Sequence, residues 1–253
     1  MSAPHRPGVL PGCERAAVKT VIIKPSDVKR LTYCGGVAPK VSVTPSQCPE
    51  LCGKPTPLDS PFNSGVKRAF DILFSLLFLL ISPVIFIPVA VAVKLTSPGP
   101  VFFRQKRTGY KGKEFTCLKF RTMVVNKDAD LLQANQHPSR ITRIGKFLRV
   151  TSIDEMPQFV NVLAGDMSVV GPRPHMLKLT EDYRGVIKDY MCRHRAKPGI
   201  TGWAQVSGLR GPMDDVSRME QRVSHDLWYI DNWSFALDMK IIMRTLGCVF
   251  RQR

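Results

Sequence analysis

The 253 residues carry 37 Lys and Arg against 20 Asp and Glu, a formal charge of +17, in a chain that is 44% hydrophobic. That apolar content is enough for a folded core of one good-sized domain, which excludes a wholly disordered chain, and the charge calls for an anionic partner: nucleic acid, acidic lipid headgroups or a phosphorylated substrate. Seven cysteines, an odd number at irregular spacing, offer no disulfide framework and point to a reducing compartment.

Residues 1–65 have no apolar core near the start, so no secretory signal peptide is expected. The stretch APKVSVTPSQCPELCGKPTPLDSPFNSG reads as a mobile tail, because it has too little contiguous apolar surface to offset chain entropy. Ahead of it, AVKTVIIKPSDVKRLTY could form one short strand or helix. Cys48 and Cys52 could begin a metal site, but no second ligand pair with zinc-like spacing follows.

From Ile72 to Val93 run 22 residues without a charge, long enough to span a hydrocarbon layer of about 30 Å. Ser82 and Pro83 stand at the midpoint, where proline removes a backbone donor and clashes with the preceding turn. Each arm of 11 residues then reaches only about 16 Å. Basic residues flank both ends: Lys67 and Arg68 before, then Lys94, Arg104, Lys106 and Arg107 after. Symmetric basic flanks favour a re-entrant hairpin with both ends on the cytoplasmic face over a single span or a core helix.

Next, VFFRQKR and EFTCLKF read as two strands joined by the glycine-rich turn TGYKGK. Lys119 and Arg121 flank Phe120 and would share one strand face, either as a solvated basic face or as a phosphate-binding one. In RITRIGKFLRVTSIDEMPQF, Ser152 and Glu155 match the S-x-x-E capping box. Met156, Phe159, Val160 and Leu163 then recur with helical spacing up to a stop at Gly165. In GPRP, two prolines stiffen the backbone around Arg173 and present a guanidinium at little entropic cost. KPGITGWAQVSGLRG packs four Gly, a Trp and an Arg into a segment suited to a nucleobase or sugar. In the last stretch Leu237, Ile241, Ile242, Leu246, Val249 and Phe250 share a helical face, with Lys240, Arg244 and Arg251 around it. An interfacial helix is preferred there over a core helix, with Trp228, Tyr229 and Trp233 as aromatic anchors. His137, His175, His194 and His225 show no metal spacing.

Taken together, KRAFDILFSLLFLLISP, KFRTM, TSIDEMPQFVNVLAGDMSVVGPRP, KPGITGWAQVSGLRG and DLWYIDNWSFALDMKIIMRT resemble the bacterial sugar transferase family, the monotopic polyprenyl-phosphate phosphoglycosyl transferases. The match runs from Lys67 to about Phe250, with PRPHMLKLTEDYRGVIKDYMCRHRAKPGITGWAQ most similar to the undecaprenyl-phosphate glucose phosphotransferases of exopolysaccharide pathways. The resemblance implies transfer of hexose-1-phosphate, glucose first and galactose or another hexose second, from a UDP-sugar to undecaprenyl phosphate with release of UMP. It assigns the acidic dyad to Asp154 and Glu155, with Asp154 forming a covalent phosphosugar and Mg²⁺ held by both. A helix N-terminus at the dyad would add partial positive charge.

It implies phosphate contacts for Lys119, Arg121, Arg149, Arg173 and Arg210, and a nucleotide-sugar loop with Gly199, Thr201, Gly202, Trp203 and Gln205. Lys67 and Arg68 match the start of the re-entrant helix, and Ser82 and Pro83 its break. Pro212 and Met213 after Gly211 depart from the glucose branch, which usually has Glu-Thr there. Val150 follows Arg149 where a basic residue is common.

The expected architecture is therefore α+β and monotopic: a tail over 1–65, a Pro-broken re-entrant membrane helix over 66–96, and a cytoplasmic catalytic domain over 97–253. That domain holds helices, a small β-hairpin and interfacial amphipathic helices. The expected location is the cytoplasmic face of a bacterial inner membrane, with anionic lipids and a homodimer among the partners. Larger family members carry several transmembrane helices ahead of the catalytic part, and this chain resembles a minimal version. A nucleic-acid binder would explain the charge but not the charge-free run, and no helix-turn-helix, zinc finger or single-strand motif is visible. A non-enzymatic membrane adaptor would need the apolar segment and the basic patches but not the acidic dyad.

Overall fold

A computed structural model describes residues 52–124, 140–211 and 215–251, the last three of these by backbone alone. The short element expected within AVKTVIIKPSDVKRLTY, Cys13, Cys34, Cys48, His137, Pro212 and Met213 lie outside the described residues, as do the side chains of Val249, Phe250 and Arg251.

The described part of the expected tail is anchored. A 3-10 turn over Pro57–Asp59 is closed by Asp59, whose carboxylate accepts from the Thr56 amide and hydroxyl. Arg195 donates to Lys54 O and Asp59. Cys52 forms a disulfide with Cys192, which corrects the expectation of no disulfide framework. The two cysteines lie 140 residues apart, so no local spacing marks the pair.

Helix α1 (Pro61–Ile81) begins five residues ahead of the expected boundary at 66, with Pro61 in the first turn, where a missing amide costs nothing. Helix α2 (Pro83–Thr96) follows after Ser82, with Pro83 again at the helix start. The axes bend by 62° at this break. Among the described residues no single helix is long and apolar enough to cross a membrane, and α1 and α2 meet that test only as this bent pair. Large apolar side chains on the pair are bare, among them Leu80 (79% exposed), Val84 (77%) and Leu95 (82%). The buried positions of α1 are instead Lys67, Asp71 and Ser75.

Strands β1 (Phe102–Thr108) and β2 (Glu114–Phe120) form the antiparallel hairpin read from the sequence, Phe102 opposite Phe120. Helix α3 (Arg143–Thr151) is capped by Thr142, whose hydroxyl accepts from the Gly145 amide at 3.0 Å. Helix α4 (Gln158–Ala164) stops at Gly165, whose φ of 93° is a left-handed cap that only glycine adopts freely. Strand β3 (Ser168–Val170) pairs in parallel with β4 (Gly199–Thr201); α5 (Leu177–Arg184) and a 3-10 segment, Tyr190–Arg195, lie between them in sequence. Helices α6 (Trp203–Val206), α7 (Val216–Asp231) and α8 (Phe235–Arg251) complete the fold.

The main core joins Phe159 and Val162 of α4 to Val169 and Val170 of β3, Tyr229 and Ile230 of α7, and Ile241 of α8. Helix α1 docks on it through Phe70, Phe74 and Phe78, four residues apart, with Phe78 stacked on Phe159 at 4.1 Å between ring centres. Asn161 stitches α4 to β2 by accepting from the Leu118 amide and donating to Thr116 O.

Two expectations about the C-terminal region need correcting. Tyr229 and Trp233 are buried and donate to Asp238, so they are core residues rather than interfacial anchors, and of the three aromatics only Trp228 is exposed. Helix α8 buries Asp238 and Ile241 against the body while leaving Met243 and Leu246 exposed. It therefore combines the core and surface readings.

Candidate active site

Helix α3 ends where Ser152 takes φ 59°, a left-handed conformation that side chains other than glycine seldom adopt. This reverses the chain into one 3-10 turn, Ile153–Glu155, before α4 begins at Gln158. Asp154 and Glu155 are thus buried in the turn ahead of a seven-residue helix. The expected capping box is not formed: the Ser152 side chain caps nothing. The Glu155 carboxylate turns toward two cations, whose charge-assisted bonds are stronger than bonds to neutral amides.

Lys119 Nζ donates to Glu155 Oε1 at 2.7 Å. Arg173 forks onto the same carboxylate, Nη2 to Oε1 at 2.5 Å and Nη1 to Oε2 at 3.0 Å. Burial alone would raise the Glu155 pKa, but Arg173 and then Lys119 outweigh it and hold the group well below the usual carboxylate range. Asp154 differs. No hydrogen bond or ion pair engages it among the described residues. Its pKa is raised, first by burial and then by the neighbouring Glu155 charge, against the pull of Lys119, Arg149 and Arg173. One carboxylate is therefore held ionised by two cations, beside another whose pKa is raised and which has no partner among the described residues.

Arg149 donates from Nε to Thr122 Oγ1 at 2.9 Å, with its charge close enough to act on both acids. Arg210 donates to Ser152 Oγ at 2.6 Å, one residue before the acidic turn begins. The structure thus gathers Lys119, Arg149 and Arg173 around the dyad, with Arg210 on Ser152 just ahead of the turn.

Arg121 is not among them. Strand β2 ends at Phe120, so the alternation that would have paired Arg121 with Lys119 stops one residue short. Arg121 is buried and donates to Val93 O, Ser97 O and Pro98 O at the C-terminal end of α2, where it fastens the helix exit. Lys67 is likewise buried, donating to Asp238 at 2.6 Å and Tyr229 at 3.2 Å instead of facing headgroups. Arg68 caps the end of α4 through Val162 O and Leu163 O. Ser82 and Pro83 do sit at the helix break.

The residues of the expected nucleotide-sugar loop make contacts within the framework. Gly199 and Gly202 lie so close to the Gly171 backbone that a Cβ on either would collide with it, so these glycines allow strand-to-strand approach. Thr201 shares a hydrogen bond with Thr245 at 2.6 Å, Trp203 stacks on Trp228, and Gln205 donates to Ile200 O. None of the five hydrogen-bonds to the dyad or its cations.

Sequence reasoning missed the residues that hold the GPRP turn. Arg107 donates to Pro174 O at 2.6 Å, and Arg193 donates to Arg173 O at 2.7 Å while pairing with Asp226. Arg193 falls in the basic run CRHRAKPG, which looks like a solvated face. Only the 33-residue separation from Asp226, closed by the fold, makes it a buried strut.

Among the described residues no cluster of three or more His, Cys, Asp or Glu could hold a metal ion, so an all-protein cage is not present. The two carboxylates nonetheless fit Mg²⁺, which takes one or two protein carboxylates and completes its shell with water and phosphate oxygens. Among the described residues both Asp154 oxygens are unengaged, and Glu155 Oε2 accepts only one of the two bonds that its lone pairs allow. His175 and His194 are buried and hydrogen-bonded to Tyr190 and Met191 O, and His225 bonds to Gln221 O.

The sequence model of the bacterial sugar transferase family matches residues 62–252. The UDP-glucose:undecaprenyl-phosphate glucose-1-phosphate transferase of Escherichia coli (strain K12) is 48% identical over 246 residues, covering 92% of this chain and 52% of the relative. The identically named protein of Klebsiella pneumoniae is 49% identical over 213 residues, 81% of this chain and 45% of the relative. The exopolysaccharide production protein PSS of Rhizobium leguminosarum bv. phaseoli is 44% identical over 186 residues, 72% of this chain and 93% of the relative. The chain spans about half the length of the first two. With the family model matching residues 62–252 and these identities, the chain belongs to the bacterial sugar transferase family.

Proposed function

We propose that this chain transfers glucose-1-phosphate from UDP-glucose to undecaprenyl phosphate, the first lipid-linked step of a polysaccharide pathway. The single observation that carries the proposal is Asp154: a buried carboxylate with no hydrogen-bond or ion-pair partner among the described residues, beside a Glu155 held by Lys119 and Arg173. Family membership and the printed substrates of the E. coli and Klebsiella relatives support the choice of donor and acceptor.

Asp154 attacks the β-phosphorus of the donor. A P–O bond to the carboxylate forms as the bond to the α-phosphate oxygen breaks, and UMP leaves. An oxygen of undecaprenyl phosphate then attacks the same phosphorus, the acyl-phosphate bond breaks, and Asp154 is restored as the lipid diphosphosugar departs. One phosphoanhydride replaces another, so no ATP is consumed. Two steps let one small site serve a water-soluble donor and a lipid acceptor in turn. Glu155 keeps Lys119 and Arg173 gathered beside the reacting phosphorus, Arg149 adds positive charge that reaches both acids, and Arg210 stands on Ser152 ahead of the turn. Mg²⁺ bound by Asp154 and Glu155 would neutralise diphosphate charge and so ease departure of UMP.

The same proposal places α1 and α2 in the membrane as a re-entrant pair, with the catalytic body at the cytoplasmic face. The 62° bend, the bare apolar side chains and the basic flanks support that placement.

The test is UMP release from UDP-glucose, UDP-galactose and other UDP-hexoses by detergent-solubilised protein with undecaprenyl phosphate and Mg²⁺, run beside Asp154→Ala. The expected result is lipid-dependent release with UDP-glucose that is absent in the variant. Release with another hexose alone would change the donor, and release surviving in the variant would remove Asp154 from its role. No release with any donor would favour the non-enzymatic adaptor.

A further inference from the structure

Helix α7 buries a cation that neither the fold nor the reaction above explains. Arg222 is only 4% exposed, yet no carboxylate accepts a hydrogen bond from it among the described residues, since Asp226 on the same helix is engaged by Arg193. Its charge stands close to Arg173 and Arg193, and burial with these like charges brings its pKa down to about 10. An apolar residue would avoid both costs.

What Arg222 does hold is backbone. Its Nε and Nη2 donate to Leu209 O at 3.1 and 2.6 Å, and Nη2 also donates to Gly211 O at 3.0 Å. The segment it grips leaves α6 as irregular chain, flanked by Gly208 and Gly211 at φ 88° and 110°. Two such glycines make a segment that is loose unless tied down. Between the two gripped carbonyls lies Arg210, whose own guanidinium donates to Ser152 Oγ at 2.6 Å. Ser152 is the left-handed residue that opens the turn carrying Asp154.

We propose that Arg222 is a positioning residue for the transferase site: by fixing the Leu209–Gly211 backbone it holds Arg210 against Ser152, at the approach to Asp154. The proposal rests on the reaction stated above. Its chemistry is that of preorganisation. A donor diphosphate brings anionic oxygens to a carboxylate that is itself negative, so a cation must already stand nearby. A long Arg side chain on a loose loop would have to give up rotamer freedom to get there. Planar forks onto carbonyl oxygens are what Arg supplies and Lys does not.

The experiment compares wild type, Arg222→Met, Arg222→Lys, Arg210→Met and the double variant Arg222→Met/Arg210→Met. Donor KM, kcat and thermal midpoint are measured for each with UDP-glucose and undecaprenyl phosphate. Arg222→Met is expected to raise donor KM about tenfold with kcat changed less than about threefold, and Arg222→Lys to recover part of that loss. The double variant should be no weaker than Arg210→Met alone, because the two residues act in series. Losses that multiply in the double variant, or an unchanged donor KM in Arg222→Met, overturn the proposal. If Arg222→Met does not fold, Arg222→Lys takes its place in the same cycle, with the same two contradicting results.

Limited trypsin digestion gives a readout that needs no activity. Cleavage after Arg210 should be faster in Arg222→Met or Arg222→Lys than in wild type, and equal rates would overturn the anchoring. A wild type that releases no UMP would count against the reaction, while the digestion would still decide the anchoring.

Discussion

Two regions of this molecule bury polar side chains, and they treat them in opposite ways. Along α1, Lys67, Asp71 and Ser75 recur every four residues on the face turned to the body, while leucines face outward. Lys67 pairs with Asp238, and Asp71 accepts from Ser168 Oγ and the Val169 amide. At the acidic turn Glu155 is paired with Lys119 and Arg173, but Asp154 beside it has no hydrogen-bond or ion-pair partner among the described residues. Both regions meet the cost of burying charge with named partners, except at the one carboxylate proposed to react. The comparison separates Lys67 and Asp71, which fasten α1 to α8 and β3, from a carboxylate left available, while the buried Ser75 hydroxyl has no partner among the described residues.

The comparison can be broken by exchanging effects. Asp154→Asn should lower UMP release by at least about 10⁴-fold, as loss of a nucleophile does, with the thermal midpoint unchanged or higher. Lys67→Met should do the reverse. It leaves Asp238 buried beside Tyr229 and Trp233 without its cation, and should cost about 3–5 kcal/mol in denaturant unfolding while folded protein retains turnover. If Asp154→Asn unfolds the protein, or Lys67→Met kills folded enzyme, the division fails.

Smaller effects sharpen it. The Cys52–Cys192 disulfide ties the segment ahead of α1 to Tyr190–Arg195, which also carries Arg193. Cys52→Ser should cost about 2–4 kcal/mol in non-reducing buffer and nothing relative to wild type in dithiothreitol. If the catalytic body faces a reducing cytosol, intact cells should show both thiols open to alkylation, whereas protection there would count against that placement.

The buried histidines act through pH: their effect is absent at neutrality and appears only as the solution is acidified. Burial and then Arg193 bring the His194 pKa from 6.5 down to about 3, and the same causes hold His175 well below its ordinary value. Unfolded histidine takes a proton below about pH 6.5 while the folded one stays neutral. The stability linked to His194 is therefore fully present above that pH and is lost as pH falls toward about 3, by about 1.4 kcal/mol per unit, with His175 acting in the same direction. Replacing His194 by Gln should flatten the acid limb of a denaturation series; an unchanged slope would contradict the assignment.

Much of the chain was legible because its signals are local. The charge-free run with Ser82 and Pro83 at its centre, the hairpin around TGYKGK and the helix stop at Gly165 each follow from a few neighbouring residues. The acidic pair was legible through family resemblance rather than spacing, because Ser152 and Glu155 on their own spell a capping box that the fold does not build. What stayed hidden depends on partners far away in sequence. Arg121 passes the end of its strand by one residue and becomes a helix fastener. Gly199 and Gly202 look like ligand-facing glycines until Gly171 is placed against them. Lys67 looks like a headgroup contact until Asp238, 171 residues away, closes on it.

The central claim is that Asp154 carries the sugar phosphate between donor and lipid. The most direct test is intact-mass and peptide analysis of protein quenched after mixing with UDP-glucose and Mg²⁺ in the absence of undecaprenyl phosphate. The account predicts a hexose-phosphate adduct on the peptide containing Asp154, acid-stable enough to detect, discharged on adding the lipid and missing in Asp154→Asn. An adduct on another residue, or full lipid-dependent turnover with UMP released only when both substrates are present, would contradict it.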